Sequence, residues 1–305
     1  MDIELCNRYV LCICENGGLT SAAKSLGISQ PALSMALNGL EKRLGFTIFD
    51  RSSKPIALTE EGKIYTEYLR EQQIRHKDCI KRIEDLHKQY DGKLMIGGPM
   101  VYVNTIIADM IPAFYEKYPA CNIVIKDGNI MDLIEEVKAG TMDFFISTSN
   151  DMPANFEVVT CMKERIYLCI PRNWEVNELL KDYQVCPGEK GKCMDYSALE
   201  GLRFISLPEK LPLQKGIRSF LSEYGVDMSS MICVNQVASG LKLAALGMGI
   251  VIATEQSLKA EICSDDLCIY AMPEELFERD IYVVYDKNRY LSHICMEFIR
   301  MLGNV

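Results

Sequence analysis

The chain lacks any long apolar run. No stretch approaches the ~18 residues that suggest a membrane span, so none is expected. Its opening, MDIELCNRYV, mixes acids among apolar residues and lacks the basic-then-apolar order of a secretory leader. A cytoplasmic protein is expected. Histidine is scarce, with three in 305 residues. His76, His87 and His293 fall on predicted helices, and none has a nucleophile or metal partner at a recognisable spacing. A dinucleotide fingerprint is missing too. GMGIVIA follows a helix rather than a strand, and IGGPM is equally weak as a match. No enzyme, metal or cofactor is expected.

An excess of positive charge is also absent. The chain holds 33 Lys and Arg against 42 Asp and Glu, a net charge of -9. The imbalance is local. Residues 1–58 hold six bases and five acids, 59–92 seven and eight, and 93–305 the remaining 20 and 29. An acidic body repels phosphates, so nucleic-acid contact is expected only from the near-neutral N-terminal part.

Cysteine is plentiful, at 13. The number is odd and the spacings match no zinc pattern. Most are expected to be reduced core residues, since free cysteine behaves as a small buried hydrophobe. Cys186 and Cys193 flank the turn-rich PGEKG, with Lys190 and Lys192 nearby, conditions that favour a thiolate. A redox switch is therefore the alternative function to keep in view.

The first 58 residues read as three short helices and a hairpin. Leu5, Tyr9 and Ile13 recur at helical spacing until NGG stops the helix. Thr20 or Ser21 is placed to cap a second helix. Gly27 suits a tight turn, Ser29 caps a third helix, and Pro31 fits its first turn. Leu33, Leu37, Leu40 and Leu44 form one stripe, and Gly45 ends the helix. Small side chains, Ala32, Ser34 and Ala36, keep this helix bare. FTIFD and PIAL look like two strands joined by RSSK, a wing.

Two helices joined by GIS, the second capped and bare, describe a helix-turn-helix, with an ordinary helical hairpin in a core as the alternative. A helix in the major groove must bring its backbone near base edges, which favours Ala and Ser over long charged chains. Gln30 can pair with adenine, and Ser29 or Ser34 with bases or phosphate. Arg51 and Lys54 on the wing can reach phosphates.

Thr59 caps a long helix that runs to about Tyr90. Ile80, Ile83, Leu86 and Tyr90 make an apolar stripe with nothing in the helix itself to cover it. Pairing with the same helix of a second subunit is the simplest solution. From Lys93 the pattern becomes strand, helix, strand. KLMIGG, NIVIKDG and MDFFIS alternate with helices 104–117 and MDLIEEVKAG, as in a parallel sheet flanked by helices. RIYLCIP opens a second set, with LRFISL, MICVNQ and GIVIAT and helices at 215–224 and 237–246. DIYVVYD and a helix at 291–302 close the chain. The expected fold is α/β overall. It comprises a winged helix-turn-helix over 1–58, a linker or dimerisation helix over 59–92 and a two-lobed effector domain of periplasmic-binding-protein type over 93–305. Lobe I is 93–162 with 269–305, and lobe II is 163–268.

The stretch LTSAAKSLGISQPALSMALNGLEKRLGFTIFDRSSKPIALTEEGK resembles the N-terminal domain of LysR-type transcriptional regulators. The Ala-Ala pair, the Ser-Gln-Pro-Ala-Leu-Ser core, the Leu-Glu…Leu-Gly end, the Phe-Asp-Arg wing and the Leu-Thr opening of the linker carry the resemblance. The rest of the chain is similar in pattern. The resemblance implies a DNA-binding activator or repressor, a dimer or tetramer joined through the linker helix and effector domain, with a small-molecule effector held between the lobes. Double-stranded DNA and the effector are the implied partners, and RNA polymerase is one such a regulator could meet. The residues expected to contact DNA are Ser21, Ser29, Gln30, Pro31, Ser34, Asn38, Arg51 and Lys54. Met35, Asn38 and Gly39 depart from the family pattern.

Ligands sit beyond the C-terminal ends of parallel strands, where helix N-termini gather donors. The effector segments are then Pro99, Met100 and Val101; Gly128 and Asn129; Ser147 and Thr148; Ser206 and Leu207; and Asn235 to Val237. Where many LysR relatives have Ser or Thr for a carboxylate in the first segment, this chain has Pro-Met-Val. Either the effector is more apolar than the usual small carboxylate or enters differently, or Met100 only plugs the cleft. A secreted solute-binding protein would share the two-lobed body but would lack residues 1–58.

Overall fold

The computed structural model describes residues 3–53, 55–87, 92–192, 194–208, 211–229, 232–260 and 264–303. The chain divides into two compact units, residues 1–88 and 89–305. In the first, α1 (Ile3–Asn16), α2 (Leu19–Leu26) and α3 (Gln30–Leu44) pack around Val10, Ile13, Ala22, Leu33, Leu37 and Leu40. The Ser29 hydroxyl accepts from the Ala32 amide at 3.3 Å and starts α3. Two expectations are corrected. Helix α2 begins after Gly18 with no side-chain cap; the Ser21 hydroxyl instead donates to the Asn16 carbonyl at 2.8 Å and braces the α1–α2 turn. Ala36 is buried against the leucines rather than displayed, because α3 must pack on two neighbouring helices at once.

The wing is shorter than its two apolar runs suggest. Strands β1 (Phe49–Asp50) and β2 (Ala57–Leu58) pair antiparallel over two residues each. Helix α4 (Glu60–Leu86) follows, capped by Thr59, whose hydroxyl accepts from the Gly62 amide at 2.9 Å and donates to the Thr47 carbonyl at 2.6 Å. Gly62 is where α4 meets the backbone before the wing: a β-carbon there would lie 1.9 Å from the Ile48 carbonyl oxygen. Thr66 and Leu69 of α4 are buried, while Ile64, Ile80, Ile83 and Leu86 are exposed. Tyr90, expected in that stripe, lies outside the described residues.

The second unit has two five-stranded sheets. Strand β3 (Lys93–Gly98) leads into α5 (Met100–Tyr102), a π turn (Val103–Ile107) and α6 (Ala108–Lys117), so this helix starts four residues before the expected 104. Then come β4 (Asn122–Asp127), α7 (Ile130–Lys138), β5 (Phe144–Ser147) and β6 (Phe156–Glu164). The chain crosses to the second sheet at β7 (Ile166–Pro171) and continues through α8 (Val176–Leu180), β8 (Phe204–Ser206), α9 (Pro212–Ser222), β9 (Ile232–Cys233), α10 (Val237–Ala245), β10 (Ile250–Thr254), α11 (Glu255–Ala260) and β11 (Leu267–Ala271). It returns by α12 (Glu274–Phe277) to β12 (Arg279–Asp286) and α13 (His293–Gly303).

Sheet order is β4-β3-β5-β12-β6 in one lobe and β11-β7-β10-β8-β9 in the other. Neither is wholly parallel: β12 runs antiparallel to β5 and β6, and β7 antiparallel to β10 and β11. Because β11 pairs with β7 through Ala271, the chain leaves the second lobe after that residue, rather than at 269. Each sheet buries aromatic and branched side chains against its helices, with Phe114, Phe144 and Phe298 in the first lobe and Tyr196 and Tyr270 in the second.

Candidate functional site

Two surfaces carry the candidate chemistry. The first is the outward side of α3. Its inward side is fixed by the stripe Leu33, Leu37 and Leu40, all buried. Gln30, Pro31, Met35 and Asn38 are exposed and Ser34 is half-buried. These residues recur at three- and four-residue steps, so they share one face. The face is neutral in its first two turns, and Lys42 and Arg43 follow in the last.

The wing is tied to the same helix. Glu41 is buried and accepts from the Ile48 amide at 2.7 Å and the Phe49 amide at 3.3 Å. Its second oxygen holds the Arg51 guanidinium at 2.9 Å. Arg51 stays partly exposed, so donors remain for a phosphate. At the wing tip Asp50 accepts from Ser52 and Ser53, and these hydrogen bonds pull its carboxyl down to about 2. Of the other expected contacts, Ser29 is engaged as a cap and Ser21 in the α1–α2 turn, though both are exposed. Lys54 lies outside the described residues.

The second surface is a cavity of about 450 Å³ between the two lobes. From the first lobe it takes Pro99, Met100, Val101, Asn104, Asp127, Gly128 and Asn129; from the second, Gln236, Val237, Ala238, Ser257 and Ala260. The N-termini of α7 and α10 open onto it. Asn129 caps α7 by accepting from the Asp132 amide at 3.1 Å, whereas no side chain caps α10. First-turn amides of α10 are thus available to a ligand carbonyl or hydroxyl. Among the described residues lining the cavity there is no Lys or Arg, and Asp127 is the one charged group.

Seven residues of the expected effector segments meet here: Pro99, Met100, Val101, Gly128, Asn129, Gln236 and Val237. Ser147, Thr148, Ser206 and Asn235 do not line the cavity. Ser147 is fully buried in mid-sheet and its hydroxyl is held by the backbone of Ser149 at 3.0 Å. Ser206 is buried at the end of β8, and Asn235 turns outward. Ser257 and Ala260 escaped the sequence reading. The strand-end rule applied to GIVIAT would have found α11, which follows directly. Asn104 lies one helical turn beyond Met100 on the same helix.

Behind the cavity the two crossover strands meet. Glu164 ends β6 and pairs in register with Arg279, the first residue of β12. Glu164 is fully buried, and its Oε1 accepts from the Tyr102 hydroxyl at 2.6 Å and from Arg279 at 2.5 Å. Arg279 also donates to the Tyr102 oxygen at 2.7 Å. Burial pushes the Tyr102 hydroxyl far above its ordinary value, so it remains a donor. Oε2 of Glu164 is buried with no hydrogen-bond partner among the described residues. Tyr102 follows the cavity residue Val101, so this cluster links the cavity wall to the crossover strands. Outside it, Arg165 donates to Glu274 at 2.8 Å and to the Gly188 carbonyl at 2.9 Å, and Lys190 reaches Glu274 at 2.8 Å. The loop holding Cys186 is therefore tied to Arg165 and Glu274, beside the crossovers between the two sheets. Cys186 is exposed and free, and Cys193 lies outside the described residues. Of the described cysteines, Cys6, Cys12, Cys121, Cys161, Cys169, Cys268 and Cys295 are buried thiols.

Comparison with known proteins matches both units. The family described as LysR substrate binding domain matches residues 87–305, and the bacterial regulatory helix-turn-helix protein, lysR family, matches residues 7–63. An uncharacterized HTH-type transcriptional regulator, YcgK of Bacillus subtilis, is 22% identical over 99% of this chain and 94% of its own length. Among solved structures, full-length CbnR in complex with its target DNA aligns over 100% of this chain and 99% of its own, with TM-score 0.62 and 17% identity. Full-length OxyR from Pseudomonas aeruginosa aligns over 100% and 94%, with TM-score 0.65 and 15% identity. At these identities the likeness is one of fold. No helix among the described residues is long and apolar enough to cross a membrane.

Proposed function

Because the chain belongs to the LysR family of transcriptional regulators, we propose that it reads double-stranded DNA with the outward face of α3 and senses an uncharged or cationic small molecule in the cavity between its lobes. Residues 1–58 then form the DNA-binding part, 59–92 the linker and 93–305 the effector domain, and the place of work is the cytoplasm. The match to a substrate binding domain favours this reading over the alternative, a redox-responsive regulator of the same fold using Cys186 and Cys193.

The observation that carries it is α3 itself. A helix anchored by buried leucines on one side presents Gln30, Ser34 and Asn38 on the other, with no long charged side chain in its first two turns. Such a face lets the backbone approach base edges, and amide side chains can pair with adenine there. Arg51 and the wing supply phosphate contacts. A gel shift with the DNA upstream of its own gene tests the reading. Binding should be lost on Gln30→Ala combined with Ser34→Ala while circular dichroism stays unchanged. No shift on any neighbouring intergenic DNA would overturn it.

The cavity supports the effector class. A carboxylate placed beside Asp127, with no Lys or Arg in the described lining, would be repelled at short range. An amide, hydroxyl or amine can use Asn104, Gln236, Ser257 and the α10 amides. Tight calorimetric binding of a plain small carboxylate, lost on Asn129→Ala, would count against this class. Effector binding would then favour one lobe arrangement through the Tyr102–Glu164–Arg279 hinge, a population shift. Exposed Ile80, Ile83 and Leu86 of α4 would be covered by the same helix of a second copy. Dissociation in sedimentation on Ile83→Asp checks that pairing, and co-purification with RNA polymerase checks the remaining partner.

A further inference from the structure

The outward face of α3 carries one side chain that polar readout does not need. Met35 is 68% exposed, while Leu33, Leu37 and Leu40 are at most 2% exposed. An α-helix advances about 100° per residue. On that wheel the leucines centre on one side and Met35 stands opposite them. Pro31, Asn38 and Lys42 lie along the same crest, with Ser34 and then Gln30 further round on one side of it and Ala32 and Gly39 on the other. Met35 is therefore the middle of whatever surface α3 meets first.

A methionine thioether has no donor and is only a weak acceptor. It cannot replace an amide or guanidinium in pairing with base edges. It is unbranched and adapts its shape to an apolar partner. In the major groove of unmodified DNA, the apolar group offered by a base pair is the C5-methyl of thymine. Small or half-buried neighbours, Ala32 and Ser34, leave room for that approach.

We propose that Met35 is a specificity-determining residue that packs on a thymine methyl beside the base pairs facing Gln30 and Ser34. The assignment rests on the reading that α3 enters the major groove. It predicts a thymine at a fixed place in each half-site, selected by its methyl group and not by a hydrogen bond.

The test begins with the full-length chain and a random duplex pool. Enriched sites are then resynthesised with each thymine replaced in turn by deoxyuridine, which differs only by the missing methyl. Dissociation constants are measured for the wild type and for Met35→Ala, a change at an exposed site to a good helix former. One thymine per half-site should show about fourfold weaker binding by the wild type when its methyl is removed, the worth of one buried methyl group. Met35→Ala should bind the thymine and uracil sites alike. Uracil tolerated at every position by the wild type, or an equal loss in both proteins, overturns the assignment and leaves the reading of α3 standing. A pool that enriches nothing overturns both.

Discussion

The outward face of α3 and the cavity between the lobes are built in opposite ways. The α3 face comes from neighbours along one helix, and a single leucine stripe aims all of it. The cavity takes its walls from helices in both lobes, and its shape depends on where two crossover strands meet. One surface is local to a single helix. The other is assembled from two lobes joined by crossover strands. A regulator needs both: a reading head that keeps its form and a sensor that has two arrangements to choose between.

Substitutions that disturb one unit and spare the other sharpen this contrast. The largest effect is expected from Glu164→Ala. It strips Arg279, itself 27% exposed, and the Tyr102 hydroxyl of their shared acceptor. Breaking a buried pair costs about 3 kcal/mol, so the unfolding transition of 89–305 should fall while that of 1–88 holds in calorimetry. A matching fall in both transitions would break the contrast. Next is Gly62→Ala. Its β-carbon would collide with the Ile48 carbonyl, and overpacking of this kind costs about 1–3 kcal/mol. Here the first unit should lose stability in denaturant, and ligand-induced stabilisation of the second should persist.

Glu41→Ala should act more narrowly, on the wing. It leaves the Ile48 and Phe49 amides without their acceptor and frees Arg51. The expected loss is about 1–3 kcal/mol, with DNA affinity falling more than far-ultraviolet ellipticity. The smallest effect concerns acid. Hydrogen bonds from Ser52 and then Ser53 hold the Asp50 carboxyl at about 2. Its folded value is depressed, so its stabilisation is complete above the ordinary carboxylate value near 4 and fades as pH falls towards 2. Amide shifts of Ser52 and Ser53 should titrate in that window, and Asp50→Asn should flatten them.

Much of the first unit was legible from residue order. Ser29, the leucine stripe and Gly45 act within one helix, and a period of 3.6 residues needs no distant partner. Ser21 and Ala36 misled for the opposite reason, since α1 and α2 decide what those positions touch. In the second unit, the residues that the strand-end rule named at Pro99 to Val101, Gly128, Asn129 and Val237 line one cavity. Ser147 and Ser206, which it also named, are buried in the sheets away from that lining, and Ser257, which it did not name, is part of it.

Residue order alone determined the helix-turn-helix, the capped recognition helix, the long linker helix and the two-lobed α/β plan, because periodicity, caps and turns are local physics. Tertiary structure decided the rest. Tyr102 meets Glu164 across 62 residues and Arg279 across 177. No local propensity encodes those separations. They exist because two antiparallel crossover strands pair in register and bury one carboxylate behind the cavity.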